Sequence, residues 1–589
     1  MMQIEQIILD KIAPSYEENA KHALAKVSQV MQGLPFHMRP RADKALVEVA
    51  EKHSFALDID AAIEKKCGEY SKLEGVAGLK LAAGSDEIKE AAQKLSEKNE
   101  RSTRNIVKVF EDLGDLTAES VDKCLLAVFE QLAGICKSAG LTPPSLKRTP
   151  TQKEIGTACR RMRCEGWLLR QIKKEQRRKL EAFSIRAGFV GKHLSKYVSP
   201  QTLADWKERR KRNRSTLEDL EVYNADLNML MPMLDYDSHG NEIGVFANNA
   251  ANRRNEMMTR SRGLEEYLKE KGCVALFVTA TAPSRFHRWR GFEDNPRYEK
   301  ATPRESHEWL QTRWQRIRAE LGREGVDFAA LRTAEPHQDG CAHWHMMLYV
   351  KAEKLGVCEL VLKDYFIFDD VFTDEAEREQ RIKSGLELKR ISMDGDESAT
   401  AYLAKYISKN IDGKGEKQGQ LFEVEPADNV QRVLAWASVW GIRQFQFSNG
   451  GKVGIWREVR RLISDPKTLP EQVKQVFDAV NSTDYGAEDD ASWCDYLKAM
   501  EGNPLELAKE QDESKAYGNP IERIKGLLFG EIQLCTRVGE WTMHQKSAPW
   551  TCVNNCTKEN APMSEQERKK LREAYKKRAE NRNARKKER

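Results

Sequence analysis

Two histidines one residue apart, His343 and His345, close the run Glu335-Pro336-His337-Gln338-Asp339-Gly340-Cys341-Ala342-His343-Trp344-His345. Asp339-Gly340 is a turn signal, and Met346-Met347-Leu348-Tyr349-Val350 follows directly, so the segment reads as strand, turn, strand. Side chains alternate along a strand, which puts both imidazoles on one face and Trp344, Met346 and Leu348 on the other. Paired imidazoles on a rigid strand are a plausible metal-ligand pair, and a carboxylate usually joins them when the ion is Mg²⁺ or Mn²⁺. Glu335 lies before the turn and can return to the same face; it is the expected third ligand, ahead of His337 and Asp339. Two other readings compete. One is a pair of ordinary structural histidines. The other is zinc in a tetrahedron of His337, Cys341, His343 and His345.

A candidate nucleophile stands downstream, in Tyr402-Leu403-Ala404-Lys405-Tyr406-Ile407-Ser408-Lys409. Asp396 or Ser398 can cap a helix there, and Asp412-Gly413 can end it. At 3.6 residues per turn, Tyr402, Lys405, Tyr406 and Lys409 share one face, while Leu403 and Ile407 share another and can pack on a sheet. A phenol titrates near ~10 and is a weak nucleophile at neutral pH. Neighbouring cations favour the phenolate, and a lysine can hold a phosphate or a departing oxygen. Tyrosines four apart are usually packing residues; the upstream histidine pair is what makes a catalytic role the better reading.

These residues need a scaffold. From about residue 265 the pattern is one of strands: Val274 to Ala282, Phe328 to Arg332, His343 to Val350, and Arg443 to Phe447 before an Asn449-Gly450-Gly451 turn. Helical stretches lie between them. The expected class is α+β, with a central, mainly antiparallel sheet flanked by helices. Residues 1–145 read as helix after helix, broken at Leu141-Thr142-Pro143-Pro144-Ser145. Residues 146–264 form a basic helical region, 265–465 the sheet domain, and 466–589 a helical extension with an acidic linker near 484–495 and a basic tail.

The basic region is dense. Residues 160–214 hold 18 Lys or Arg against 5 Asp or Glu, with Trp167, Phe183, Phe189, Tyr197 and Trp206 interspersed. Such a run can neutralise phosphates. Arg170, Lys174, Arg177, Arg178, Arg209, Arg210 and Arg212 are the expected DNA contacts. The bland alternative is a solvated helix face. The 589 residues are 32% charged with a net charge of +6, too little by itself to name a partner. The longest apolar run, Cys273 to Ala282, is too short to cross a bilayer, so no membrane role is expected. The 12 cysteines are scattered and no secretory leader opens the chain, which suggests a cytoplasmic protein with reduced thiols.

Taken in order, the motifs resemble those of the HUH endonucleases, named for His-hydrophobic-His. The closest likeness is to the two-tyrosine branch and, within it, to the phage replication gene A proteins. Phe277 to Ser284 resembles that family's first strand motif, Glu335 to His345 its metal motif, and Tyr402 to Lys409 its tyrosine motif. Trp440 to Phe445 and Ile455 to Glu458 are similar to later segments. The likeness covers roughly residues 150 to 465 and implies a nicking enzyme of rolling-circle replication in a bacterial host. It implies one Mg²⁺ or Mn²⁺ and a 5′-phosphotyrosine bond, with a free 3′-hydroxyl that primes synthesis. Tyr402 and Tyr406 would act in alternation on single-stranded origin DNA. A host helicase, a single-strand-binding protein and a DNA polymerase are the implied partners. Two alternatives stay open: a non-catalytic, zinc-containing DNA-binding replication factor, and a relaxase or transposase of the same fold.

Overall fold

The computed structural model describes residues 2–546 with breaks, the longest at 412–425 and 482–490; residues 547–589, and with them the basic tail, lie outside the described residues. The N-terminal region is helical, as its composition predicts. Its longest helices, Ser85–Asp112 and Ala118–Ser138, bury one face each against Ile155, Leu168 and Ile172. The Pro-Pro segment after Leu141 is irregular. The helical N-terminus does not stop at residue 145, however. Phe183 and Phe189 complete the core of the first 81 residues, and Trp167 that of the next bundle.

The elements that position the site follow in chain order. They are α1 (Glu165–Arg186), α2 (Pro200–Glu218), α3 (Asn249–Glu270), β1 (Cys273–Thr281), α4 (Pro303–Arg323), β2 (Phe328–Pro336), β3 (Ala342–Lys351), β4 (Leu386–Ile391), α5 (Ala399–Ile411), α6 (Pro426–Trp440) and β5 (Phe445–Ser448). The five strands form one sheet in the order β4-β1-β3-β2-β5, every neighbouring pair antiparallel. Long apolar runs make β1, β2 and β3 the buried centre. β4 is an edge strand that sequence reading missed: Leu386 and Leu388 alternate with charged residues, and half of it faces solvent.

Two cores sandwich the sheet. On one face Val278, Ala334, Trp344, Met346 and Leu348 pack on Leu310, Trp314 and Ile317 of α4 and on Trp436 of α6. A capping box, Thr302 with Glu305, and Pro303 at the first turn start α4. On the other face Phe277, Leu331, Met347 and Tyr349 meet Leu403 and Ile407 of α5. That second core is closed by Trp493, Tyr496, Leu505 and Leu527, so the sheet's own hydrophobic packing runs past residue 465.

The C-terminal extension is correspondingly not all helix. Helices Glu471–Asn481 and Ala491–Ala499 are followed by three antiparallel strands, Glu506–Glu513, Pro520–Phe529 and Ile532–Cys535. Gly530, at φ +58°, turns the last hairpin. A further strand, Trp541–Gln545, pairs with Leu220–Asn224. No helix among the described residues is long and apolar enough to cross a membrane.

Candidate active site

The β2–β3 turn is built to hold the histidine strand still. His337 N–H donates to the Cys341 carbonyl at 2.7 Å and Gly340 N–H to the His337 carbonyl at 2.8 Å. Gly340 sits at φ +86°, where a Cβ would also stand 3.1 Å from the Tyr197 carbonyl. Asp339 is spent on this turn. Its carboxylate accepts from Cys341 N–H at 3.1 Å and Arg288 N–H at 3.0 Å, and lies 3.2 Å from His287 Nδ1. Burial raises the Asp339 pKa, but His287 and its hydrogen bonds outweigh that and hold it at about 2.

β3 then carries His343 and His345 onto one face, with Trp344 buried on the other. Each histidine faces a threonine of β1 in register. Thr281 Oγ1 is 3.1 Å from His343 Nδ1, and Thr279 Oγ1 is 3.3 Å from His345 Nδ1. A ring that donates Nδ1–H to such a hydroxyl keeps the Nε2 lone pair for a metal, with its orientation fixed. Glu335 is the register partner of His343, and its Oε2 lies 3.9 Å from His345 Nε2. Neighbouring oxygens and nitrogens around an octahedral Mg²⁺ stand about 3 Å apart, so a small side-chain adjustment closes that pair. Thr333, the other register partner of His345, is buried with no hydrogen-bond partner for Oγ1 among the described residues. Two imidazoles, one carboxylate and an unsatisfied hydroxyl on one face suit a hard divalent cation.

The set is open as it stands. Among the described residues, only Glu266, Glu270 and Cys494 bring three ligand atoms within 4.8 Å of one another, and Lys498 already pairs with Glu270 at 2.8 Å. The zinc tetrahedron of His337, Cys341, His343 and His345 is likewise not assembled. His337 does approach: its Nε2 is 3.0 Å from His343 Nδ1, and its ring meets His287 at 5.1 Å. Burial, then the neighbouring His287, push its pKa down to about 4, so it is neutral near pH 7. His287 went unnoticed in the sequence because nothing in its local spacing signals it.

α5 lies on the histidine face of the sheet. Ser398 caps it by accepting from Ala401 N–H at 3.2 Å. Glu265 of α3, itself buried, accepts from Ala399 N–H at 2.9 Å and Thr400 N–H at 2.7 Å. Leu403 and Ile407 are fully buried against the sheet, as their spacing predicts. Tyr402 and Tyr406 thereby project beside the histidines. The ring of Tyr406 is 4.4 Å from that of His345, and Phe277 touches Tyr402 at 4.5 Å and Tyr406 at 5.5 Å. The side chains of Lys405 and Lys409 lie outside the described residues, as do Asp396, Asp412 and Gly413. The described surroundings of Tyr406 do not favour a phenolate: burial first, then Tyr402, Glu335 and Glu387, push its pKa up. The expectation of cation-lowered phenols is thus not met at Tyr406 by any described group. A cleft of about 690 Å³ opens in front of these rings, lined by His343, His345, Thr279, Thr281, Phe277 and both tyrosines. Lys383, Ser384 and Leu386 to Leu388 form its other wall.

The basic region is less available than its composition suggests. Arg178 donates to the Val439 and Trp440 carbonyls at 3.0 and 3.1 Å and pairs with Glu175 at 2.9 Å, so it ties α1 to α6. Lys174 pairs with Glu175 at 3.3 Å, and Arg209 donates to the Asp205 carbonyl at 3.3 Å. Arg177 is partly buried, and burial lowers its pKa. Arg170 is exposed but donates to the Tyr517 hydroxyl at 2.6 Å. Arg210, over the Trp206 ring at 5.3 Å, and Arg212 are exposed. Trp167, Phe183, Phe189 and Tyr197 are core residues, not a stacking platform.

An antiparallel sheet presenting paired histidines and paired tyrosines on one face defines the class of protein to compare. The bacteriophage replication gene A protein family matches residues 86–414, and the chain belongs to that family. It is 34% identical over 465 residues to the replication protein of Haemophilus phage HP1, covering 72% of this chain and 57% of that one. It is 32% identical over 509 residues to the replication gene A protein of Escherichia phage 186, covering 78% and 70%. A relative from a prophage-like region of Salmonella paratyphi A, named a probable replication endonuclease, is 29% identical over 442 residues, covering 70% and 54%. The chain thus spans between about half and 70% of the length of these relatives. No solved structure matches it.

Proposed function

We propose that this protein nicks one DNA strand at a replication origin, with Tyr402 or Tyr406 as the attacking group, and so starts rolling-circle replication. One observation carries the reading: the two phenol rings stand on the same sheet face as His343 and His345, Tyr406 within 4.4 Å of His345. His343, His345 and Glu335 would hold one Mg²⁺ or Mn²⁺, which supplies Lewis-acid polarisation of the scissile phosphate. Thr279 and Thr281 orient the two imidazoles, and Glu265 and Ser398 fix the register of α5. The attacking phenol loses its proton and its oxygen bonds to phosphorus. The bond from phosphorus to the 3′ oxygen breaks, and that oxygen gains a proton, so the step is proton-neutral overall. The 5′ end stays on the protein, and the free 3′-hydroxyl can serve a polymerase as primer. The second tyrosine can repeat the step while the first is occupied, and reversal rejoins the strand. Lys405 and Lys409 are proposed to meet the phosphate or the departing oxygen. Arg210 and Arg212, both exposed, are proposed to touch DNA, whereas Arg178 is held by carbonyls of α6. A host helicase, single-strand-binding protein and polymerase would act with it in the bacterial cytoplasm.

The test is a set of Tyr402→Phe, Tyr406→Phe and double variants, incubated with single-stranded origin DNA and Mn²⁺. The account expects adduct from each single variant and none from the double. Adduct from the double variant, or cleavage indifferent to EDTA, would remove it.

A further inference from the structure

The cleft in front of the tyrosines has two walls of different make-up. The inner wall carries His343 and His345, with the nearly buried Glu335 behind them, its Oε2 3.9 Å from His345 Nε2. The outer wall is the edge strand β4 and the end of the helix before it, Glu375–Ser384. β4 pairs with β1 so that Glu387 lies opposite Thr279 and Lys389 opposite Phe277. Registered side chains share a face, so Glu387 and Lys389 project on the histidine and tyrosine side. The Lys389 ammonium sits 5.3 Å from the centre of the Tyr402 ring. Lys383 lines the cleft wall formed by the end of that helix. Both lysines are exposed, and neither forms an ion pair among the described residues. Other exposed cations nearby are used: Arg390 pairs with Glu359 and Arg378 with Glu375.

We infer that Lys389 and Lys383 form a phosphate-binding rail on the edge of the sheet, which holds the backbone of a single nucleic-acid strand against Tyr402. This rests on the nicking reading for its ligand. A polyanion entering this cleft meets the Glu387 carboxylate and two phenols, with Glu335 close behind the histidines, so binding needs cations on the open wall. Glu335 is answered by the proposed metal. Glu387, between the two lysines in the chain and facing the same space, forms no ion pair among the described residues, so the lysines offset its charge at a distance as well as grip phosphate. Neither lysine belongs to the tyrosine motif; the sheet register brings Lys389 there, and the end of the preceding helix brings Lys383.

The experiment uses the full chain carrying Tyr402→Phe and Tyr406→Phe, so that DNA is bound but not cut. Affinity for a labelled single-stranded oligonucleotide is measured by fluorescence anisotropy between 50 and 200 mM salt, for this parent and for added Lys389→Ala, Lys383→Ala and Lys389→Arg. Each alanine change is expected to lower the slope of log affinity against log salt by about 0.7 to 1, equally for all oligonucleotide sequences. Lys389→Arg is expected to keep the parent slope. Parent slopes in both alanine variants would overturn the rail. The nicking reading is checked apart, by adduct formation in the chain with both tyrosines. Adduct with unchanged slopes sinks the rail alone; lowered slopes without adduct leave the rail as a strand-binding site and sink the nuclease.

Discussion

Tyr406 and His345 face each other across 4.4 Å, ring centre to ring centre, although one comes from a helix and the other from the middle strand of the sheet. The contact exists because Leu403 and Ile407 seat that helix on the sheet, which turns the adjoining Tyr402 and Tyr406 side toward the histidines. The proposed nucleophile and the proposed metal ligand are thereby brought together by hydrophobic packing.

That packing predicts the first outcome. Leu403→Ala removes a side chain that is 1% exposed and leaves a cavity between α5 and the sheet. A loss of about 2 to 5 kcal/mol is expected in chemical denaturation of the sheet domain. An unchanged midpoint would mean the helix is not seated as described.

The cap supplied by Glu265 predicts a local effect. Glu265→Ala strips the carboxylate from Ala399 and Thr400 N–H, which should cost about 1 to 3 kcal/mol. Hydrogen exchange in the first turn of α5 should accelerate, while the central strands keep their protection. Glu265→Gln, which retains one acceptor, should fall between the two.

The threonines predict a metal effect. Thr279→Val and Thr281→Val keep the side-chain shape but remove the hydroxyl beside each Nδ1. Mn²⁺ affinity by calorimetry should weaken about 10- to 100-fold in each, and His343→Ala with His345→Ala should abolish binding. Wild-type affinity in both valine variants would mean the hydroxyls only pack.

Asp339 predicts a dependence on pH. Its pKa in the fold, about 2, is below the ordinary value near 3.9, so its contribution is present above pH ~4 and lost as pH falls through ~2. The size is about 2 to 3 kcal/mol. Asp339→Asn should be less stable than the parent at pH 6, and the gap should narrow at pH 2 to 3. A gap independent of pH would exclude the His287–Asp339 pair as its source.

What the sequence made legible is what local geometry decides. Alternation placed His343, His345 and Trp344 on their correct faces, and helical spacing separated Tyr402 and Tyr406 from Leu403 and Ile407. Long-range register was not legible. Only the pairing of β1 with β3 sets Thr279 and Thr281 beside the histidines, and only the pairing of β4 with β1 brings Lys389 to that face. The basic region misled for the opposite reason: composition cannot tell an arginine facing water from Arg178, whose donors are taken by carbonyls of α6. The C-terminal strands were missed because charged residues dominate Glu506–Glu513, and only its pairing with Pro520–Phe529 shows a sheet.

The most direct measurement is mass spectrometry of the peptide left on a cleaved single-stranded oligonucleotide after protease digestion. The account predicts nucleotide mass on Tyr402 or Tyr406, joined through a 5′-phosphate, with a free 3′-hydroxyl on the released fragment. A modified residue elsewhere in the chain, or cleavage that leaves no covalent peptide at all, would contradict it.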